Sequence, residues 1–141
     1  MPNRRNLTGD GPEAQLHRAV VTLLAARLPV ESLVHHSPNE GLHHVSFRQK
    51  LAAFGMKAGW PDLEILCRGQ LYFLELKAPK GTVTAIQRRI HTRIREAGFP
   101  VTIIRTLTEC EAWLTTVLHG HPDARQGESD SHAATQNSTG R

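Results

Sequence analysis

Apolar side chains recur along this chain at two spacings, one typical of helices and one typical of strands. Leu16, Val20 and Leu24 recur at four-residue intervals, which predicts a helix with one apolar face. This helix is expected to begin at Pro12, because the N–H that proline lacks is not needed in the first turn, and to end before Pro29. Its apolar face predicts that it packs against a core.

Short apolar or β-branched runs predict four strands, over residues 30–36, 62–67, 71–76 and 101–105. The two middle runs are separated only by a short turn that contains Gly69, which predicts a β-hairpin.

Three later helices are predicted from capping boxes, in which Ser or Thr is followed three residues on by Glu or Gln. Each cap introduces an apolar stripe that is expected to face the core. The caps and stripes are Ser46 and Gln49 with Phe47, Leu51 and Phe54; Thr84 and Gln87 with Ile86, Ile90 and Ile94; and Thr108 and Glu111 with Cys110, Trp113, Leu114, Val117 and Leu118.

The predicted order is helix, strand, helix, two strands, helix, strand, helix, which favours an α/β fold with a central mixed sheet flanked by helices. Residues 11–119 are expected to form this one domain. Residues 1–10 are predicted to be a flexible N-terminus, and residues 120–141 a disordered polar tail, because neither segment has large apolar side chains to bury.

Composition narrows the class of protein. The chain has 141 residues and a formal net charge of +4, which favours a single domain with a polyanionic partner such as nucleic acid. No apolar stretch approaches the ~20 residues that span a bilayer, and no signal peptide is recognisable, so a cytoplasmic location without membrane attachment is expected. Cys67 and Cys110 match no metal-binding spacing and are expected to be buried thiols.

The second hairpin strand carries the candidate chemistry. Glu75 and Lys77 are expected on the same strand face, with Asp62 opposite the Glu75 end because the paired strands are antiparallel. Neighbouring carboxylates repel each other unless a cation joins them, and carboxylate oxygens favour Mg²⁺ or Mn²⁺. The main-chain carbonyl of Leu76 and the carboxylate of Glu13 are candidate further ligands.

Such a cluster suits phosphodiester hydrolysis. A divalent cation polarises the scissile phosphate and lowers the pKa of water, while an adjacent lysine orients that water and offsets developing negative charge. This chemistry requires no covalent enzyme intermediate.

These residues resemble a known pattern. Gly-Trp-Pro-Asp at residues 59–62, Glu-Leu-Lys at residues 75–77 and then Gln87 look like the PD-(D/E)xK nuclease pattern, and more narrowly its VRR-NUC branch. Glu13 matches the acidic residue on the first helix of that branch, and Asn39 with Gly41 resembles its Asn-Gly turn. The similarity covers roughly residues 13–106.

The resemblance implies a restriction endonuclease-like core and a DNA endonuclease that depends on Mg²⁺ or Mn²⁺. It makes Asp62 and Glu75 metal ligands, Lys77 the catalytic lysine, and Gln87 and Glu13 supporting residues of the catalytic site. Short bacterial and phage members of the family are similar to junction-resolving enzymes that act as dimers. Branched DNA, a homodimer and the cytoplasm of a bacterial or phage-infected cell are therefore among the expectations.

The basic residues near this pattern are candidates for DNA contact. Their alternative role is that of a solvated helix surface. They are Arg88, Arg89, Arg93, Lys57 and Lys80, with Asn39 added from the turn.

Other interpretations stay open from the sequence alone. Glu75 and Lys77 can be a solvated cross-strand pair, and Asp62 can be a turn residue. A catalytically inactive nucleic-acid-binding module of the same fold is the main functional alternative, and an interaction protein with an incidental motif is the other. The histidine pairs at residues 35–36 and 43–44 suggest either a zinc site or one histidine near the candidate pocket, since neighbours on a strand face opposite ways.

Overall fold

The computed structural model describes residues 11–37 and 45–120, which form an α/β fold with a mixed sheet between helices. The fold class and the order of elements are confirmed. Residues 1–10 and 121–141 lie outside the described residues, as do Asn39, Gly41, His43 and His44. The elements are α1 (Pro12–Arg27), β1 (Leu33–His36), α2 (Val45–Ala53), β2 (Leu63–Cys67), β3 (Gln70–Leu76), α3 (Ala85–Glu96), β4 (Val101–Ile104) and α4 (Leu107–His119).

The sheet has the order β1-β2-β3-β4, and the predicted hairpin joins β2 to β3. Arg68 and Gly69 form its turn with φ values of 51° and 76°, a combination whose twist suits a tight hairpin. Helix α3 crosses from β3 to β4, which allows these two strands to be parallel. Leu63 pairs with Leu74, so the residue before Leu63 lies at the carboxyl end of β3.

The two faces of the sheet are covered differently. Helices α1 and α4 pack on one face, and α3 covers the other. The α3 face has only a small apolar cluster, formed by Phe73, Ile94 and Val101. The α1 and α4 face carries the larger core, which includes both free cysteines, buried as expected. That core consists of Val20, Leu24, Leu63, Ile65, Cys67, Leu74, Leu76, Ile104, Cys110, Leu114 and Val117.

Strand β1 and helix α4 do not begin at the residues that the sequence predicts. Strand β1 begins at Leu33, not at residue 30, because a turn in which the Ser32 N–H donates to Pro29 O leaves Val30 99% exposed. Helix α4 is capped by Thr106, whose hydroxyl accepts the Glu109 N–H, and not by Thr108. Thr106 precedes the helix with extended backbone, which is the conformation a cap requires.

The predicted buried stripe of α2 is wrong. Phe47 is 45% exposed and Phe54 is 77% exposed, and no residue of α2 is buried within the described part of the protein. The helix already includes Ser46, so the predicted capping box does not begin it. The physical reason is that α1 and α4 cover one face of the sheet and α3 covers the other, so that within the described residues α2 packs on neither face.

Helix α3 begins with the predicted capping box at Thr84 and Gln87. Its buried residues are Gln87, His91 and Ile94, whereas Ile86 is 48% exposed. The predicted isoleucine stripe is therefore only partly correct, because the inward side of this helix carries two polar side chains. No helix in the described segments has the length and apolar character needed to cross a membrane.

Candidate metal centre

Asp62 follows a loop that packs against the start of α3, and its side chain is buried. Gly59 in this loop has a φ of +80°, a conformation that favours glycine. A Cβ at this position would lie 2.8 Å from Ile86 Cγ2 and 2.9 Å from the main-chain carbon of Ile86. Glycine therefore permits the contact between loop and helix that positions Asp62.

The Asp62 carboxyl group is 3% exposed and lies at the carboxyl end of β3. Its Oδ2 accepts the Leu76 N–H at 2.6 Å, which excludes a role limited to the turn. Burial, and then the charge of Glu75, raise the pKa of Asp62 to about 7, against the opposing effects of the Leu76 N–H and Lys77. Glu75 is thus close enough to Asp62 for its charge to disfavour the ionised form of the Asp62 carboxyl group.

The Glu75 carboxylate is fully buried and is contacted by three side chains. Its Oε1 accepts a hydrogen bond from Gln87 Nε2 at 2.6 Å and lies 3.2 Å from Lys77 Nζ. Its Oε2 lies 3.1 Å from His91 Nε2. Because Lys77 is only 7% exposed, Glu75 and Lys77 are not a solvated cross-strand pair.

The helix cap orients Gln87. The Gln87 N–H donates to the Thr84 hydroxyl at 3.2 Å, and Gln87 Oε1 accepts the Thr84 N–H at 2.9 Å. With its amide oxygen bound to the backbone, the side chain directs its Nε2 group toward Glu75. The same capping box that starts α3 therefore supports the buried carboxylate.

Glu13, in the first turn of α1, lies at the same end of the sheet. Its Oε2 accepts the Ala78 N–H at 3.3 Å, and its charge contributes to the raised pKa of Asp62. A cavity of about 500 Å³ opens beside these two carboxyl groups, and His17 and His36 also line it. Glu13 and Asp62, which are far apart in the sequence, thus line one cavity.

The described histidines of β1 face in opposite directions. His36 Nδ1 lies 3.1 Å from the main-chain oxygen of Asp62, and its ring meets the ring of His17 edge-on at 4.4 Å. Burial, and then the charge of His36, lower the pKa of His17. His35 is directed away from the cavity and lies 3.7 Å from Glu64.

Sequence reasoning missed His91, which is 1% exposed and contacts Glu75 directly. One signal was present, because His91 lies four residues after Gln87 and so on the same side of the helix. Trp60, in the loop before Asp62, donates its indole N–H to Glu64 at 2.6 Å, and its ring packs on Phe73.

Five of the six candidate DNA-contacting residues lie in the described part of the protein. Asn39 lies outside the described residues, and the other five side chains are all exposed. Arg88 donates a hydrogen bond to the main-chain oxygen of Val83. The exposed set consists of Lys57, Lys80, Arg88, Arg89 and Arg93.

The chemistry of the donor set fits a hard divalent cation. Asp62 uses Oδ2 for the Leu76 N–H, which leaves Oδ1 for a ligand. Burial, and then the charge of Glu75, raise the pKa of Asp62, and a bound cation would favour the ionised form against both. Among the described residues, however, no three His, Cys, Asp or Glu side chains are grouped closely enough to enclose a metal ion. Both oxygens of Glu75 already have side-chain partners.

Comparison with known proteins identifies the fold. No family model and no curated protein match the sequence. One similar solved structure, a "VRR_NUC domain", has a TM-score of 0.53 and 20% identity, over 78% of this chain and 98% of the other. Another, a "VRR_NUC domain protein", has a TM-score of 0.56 and 18% identity, over 76% of this chain and 85% of the other. The chain therefore has the α/β fold of these VRR_NUC domain structures.

Proposed function

We propose that this protein is a divalent-metal-dependent nuclease that hydrolyses phosphodiester bonds of DNA. The observation that carries the proposal is the buried group of Asp62, Glu75, Lys77 and Gln87 at one end of β3, in a nuclease-type fold. Burying two carboxylates beside an ammonium group is costly for folding, and such arrangements concentrate at functional sites.

Asp62 and Glu75 would hold the cation, with the Leu76 carbonyl and Glu13 as further oxygen ligands. When bound, the cation supplies Lewis acidity to the scissile phosphate and lowers the pKa of water. Lys77, held beside Glu75, places a positive charge where negative charge develops on the phosphate oxygens. Gln87 holds the Glu75 carboxylate in place.

The basic surface supports DNA as the substrate. Arg88, Arg89 and Arg93 project from α3, whose inner side contacts Glu75, so the positive charges lie next to the candidate centre. Lys57 and Lys80, in the flanking loops, extend this charge.

The finer parts of the proposal concern substrate shape and assembly. We propose that the substrate is branched DNA and that the cleavage takes place in the cytoplasm of a bacterial or phage-infected cell. We also propose that the protein acts as a homodimer, because one small domain offers little surface for recognising a junction. Light scattering of the protein alone and with a four-way junction tests the dimer, and a single monomeric mass in both samples would contradict it.

The decisive experiment measures cleavage of linear, flap and four-way-junction DNA with Mg²⁺, Mn²⁺ or EDTA. Cleavage is expected only with metal, and Glu75→Gln and Lys77→Met are each expected to reduce its rate about 10²-fold or more. Glu31→Gln and Lys50→Met change the same charges at exposed positions and serve as matched controls. Metal-independent cleavage, or equal loss in the controls, would contradict the proposal.

A second candidate function, a catalytically inactive nucleic-acid-binding module, is favoured by one observation. Side chains of the protein contact both oxygens of Glu75, so a metal ion would have to share or displace these contacts. This candidate predicts DNA binding that is unaffected by EDTA, and no cleavage of any of the three DNA forms with either metal. That result would replace the nuclease proposal.

A further inference from the structure

A second cavity lies on the α3 face of the sheet and has a volume of about 530 Å³. We call it the arginine pocket. Its lining contains no carboxylate within the described part of the chain. Its polar residues come from three segments that are separate in sequence: Thr82 from the loop before α3, Arg88, His91, Thr92 and Arg95 from α3, and Arg105 from the residue after β4.

The three guanidinium groups are held in place without being neutralised. Among the described residues, none of them forms an ion pair with a carboxylate. Each guanidinium has five N–H donors, so its bonds to the backbone leave donors for a ligand. Those bonds run from Arg88 to Val83 O, from Arg95 Nη2 to Val101 O at 2.9 Å, and from Arg105 Nη1 to Ala78 O at 3.1 Å and to Gly81 O.

The lining selects a phosphate over a whole nucleotide. Guanidinium forks match the oxygens of a phosphate, and the hydroxyl of Thr82 adds a neutral donor. A base would need an aromatic or broad apolar surface for stacking. The apolar side chains in the lining are only Val83 and Ile103.

The arginine pocket is directly connected to the candidate metal centre. His91 lines the pocket, and its Nε2 lies 3.1 Å from Glu75 Oε2. Ile103, which also lines the pocket, is the register partner of Glu75 across the β3–β4 pair. A strand of DNA positioned at the metal centre would therefore pass close to the pocket.

We propose that the arginine pocket binds a backbone phosphate of the DNA strand, one other than the phosphate that is hydrolysed. The proposal rests on the proposed function, since it takes DNA as the substrate. It also divides the arginines of α3 into two groups: Arg88 and Arg95 line the pocket, whereas Arg89 and Arg93 do not.

The test measures binding of a labelled DNA duplex by fluorescence anisotropy in EDTA, across a range of KCl concentrations. The double variant Arg88→Gln/Arg95→Gln is expected to weaken binding about tenfold or more and to reduce the slope of log affinity against log salt by about 1–2. The charge-matched variant Arg89→Gln/Arg93→Gln is expected to weaken it only about two- to threefold, through lost general attraction. Circular dichroism establishes that both variants fold.

Equal losses in the two variants, or no loss in the pocket variant, would overturn the proposal. Titration with inorganic phosphate and with a nucleoside triphosphate, followed by NMR of the His91 ring, separates the sources of phosphate. A response to either small anion, with DNA affinity independent of Arg88 and Arg95, would replace DNA by a small phosphate ligand.

Because binding is measured without metal, the outcome is independent of catalysis. Pocket-dependent binding without cleavage supports the pocket and contradicts the nuclease. Metal-dependent cleavage together with DNA binding that does not depend on Arg88 and Arg95 supports the nuclease and contradicts the pocket.

Discussion

The two faces of the sheet use the same strands for different purposes. On the face covered by α1 and α4, Leu74 and Leu76 are fully buried among hydrocarbon side chains. On the face covered by α3, Glu75 and Lys77 from the same segment are buried among polar partners. The first face supplies hydrophobic stabilisation, and the second carries the groups that can do chemistry. Alternation along a single strand thus places an apolar core on one face of the sheet and a buried polar group on the other.

The largest loss of stability is expected when the buried polar group on the α3 face is disrupted. Glu75→Ala removes the partner of Lys77, His91 and Gln87 and leaves them buried without it. The free energy of unfolding is expected to fall by about 3–5 kcal/mol, measured by urea denaturation. Glu111→Ala, at an exposed position on α4, should leave the denaturation curve unchanged. A similar curve for both variants would show that the polar group contributes nothing to stability.

A somewhat smaller loss of stability is expected when the apolar core beneath α1 and α4 is disrupted. Leu74→Ala leaves a cavity beneath α1 and α4 and should lower the free energy of unfolding by about 3 kcal/mol. Leu66→Ala, at a strand position that is 44% exposed, should cost about 1 kcal/mol or less in the same urea titration. If both variants lost the same amount, burial on this face would not determine stability.

The contact between the Asp62 loop and α3 is tested by a pair of glycines. Gly59→Ala combines a positive φ with overlap against Ile86 and should cost about 2–3 kcal/mol in thermal unfolding. Gly69→Ala shares the positive φ, with no atom within 4 Å of its new Cβ, and should cost about 1 kcal/mol. Equal losses of stability in the two variants would mean that the close approach of Gly59 to Ile86 does not contribute to stability.

The raised pKa of Asp62 predicts that the stability of the protein depends on pH. The pKa of Asp62 is raised from 3.8 to about 7, so the folded protein holds a proton that the unfolded chain releases. The contribution of this group to stability is therefore greatest below about pH 4 and is lost as pH rises through about 7.

Asp62→Asn should remove this loss and stabilise the metal-free protein at pH 8 by about 1–2 kcal/mol in urea. Adding Mg²⁺ should stabilise the parent protein at pH 8 more than the variant, if Asp62 is a ligand. A parent protein whose stability is flat between pH 4 and 8 would contradict the raised pKa.

The smallest change in stability is expected at Phe54, which directly follows α2, a helix that packs on neither face of the sheet within the described residues. Phe54→Ser should change the free energy of unfolding by no more than about 0.5 kcal/mol, because the side chain is 77% exposed. Calorimetry at two protein concentrations provides the check. A larger loss, or one that depends on concentration, would show that another surface covers this helix.

Local signals in the sequence predicted much of the candidate site. Antiparallel pairing through a short turn was enough to place Asp62 across from Glu75, and strand alternation placed Lys77 beside Glu75. The Thr84 and Gln87 capping box predicted the start of α3. These predictions held because each depends on residues that are near in sequence or linked by a tight hairpin.

Predictions that depended on contacts between distant segments fared less well. An apolar stripe was visible for α2, yet whether Phe47 and Phe54 are covered depends on where the other helices pack. His91 looked like a polar residue on a basic helix, and only the approach of β3 buries it against Glu75. The convergence of Arg105 with Arg88 and Arg95 likewise required β4 to lie beside β3.

The sequence by itself therefore determined the elements, the hairpin register and the face on which Glu75 and Lys77 emerge, since periodicity and turn chemistry act over short distances along the chain. Tertiary structure alone decided which helix faces are buried, brought Glu13 to Asp62, and formed the arginine pocket. The physical reason is that burial and electrostatic coupling depend on distances in space, which no local pattern encodes.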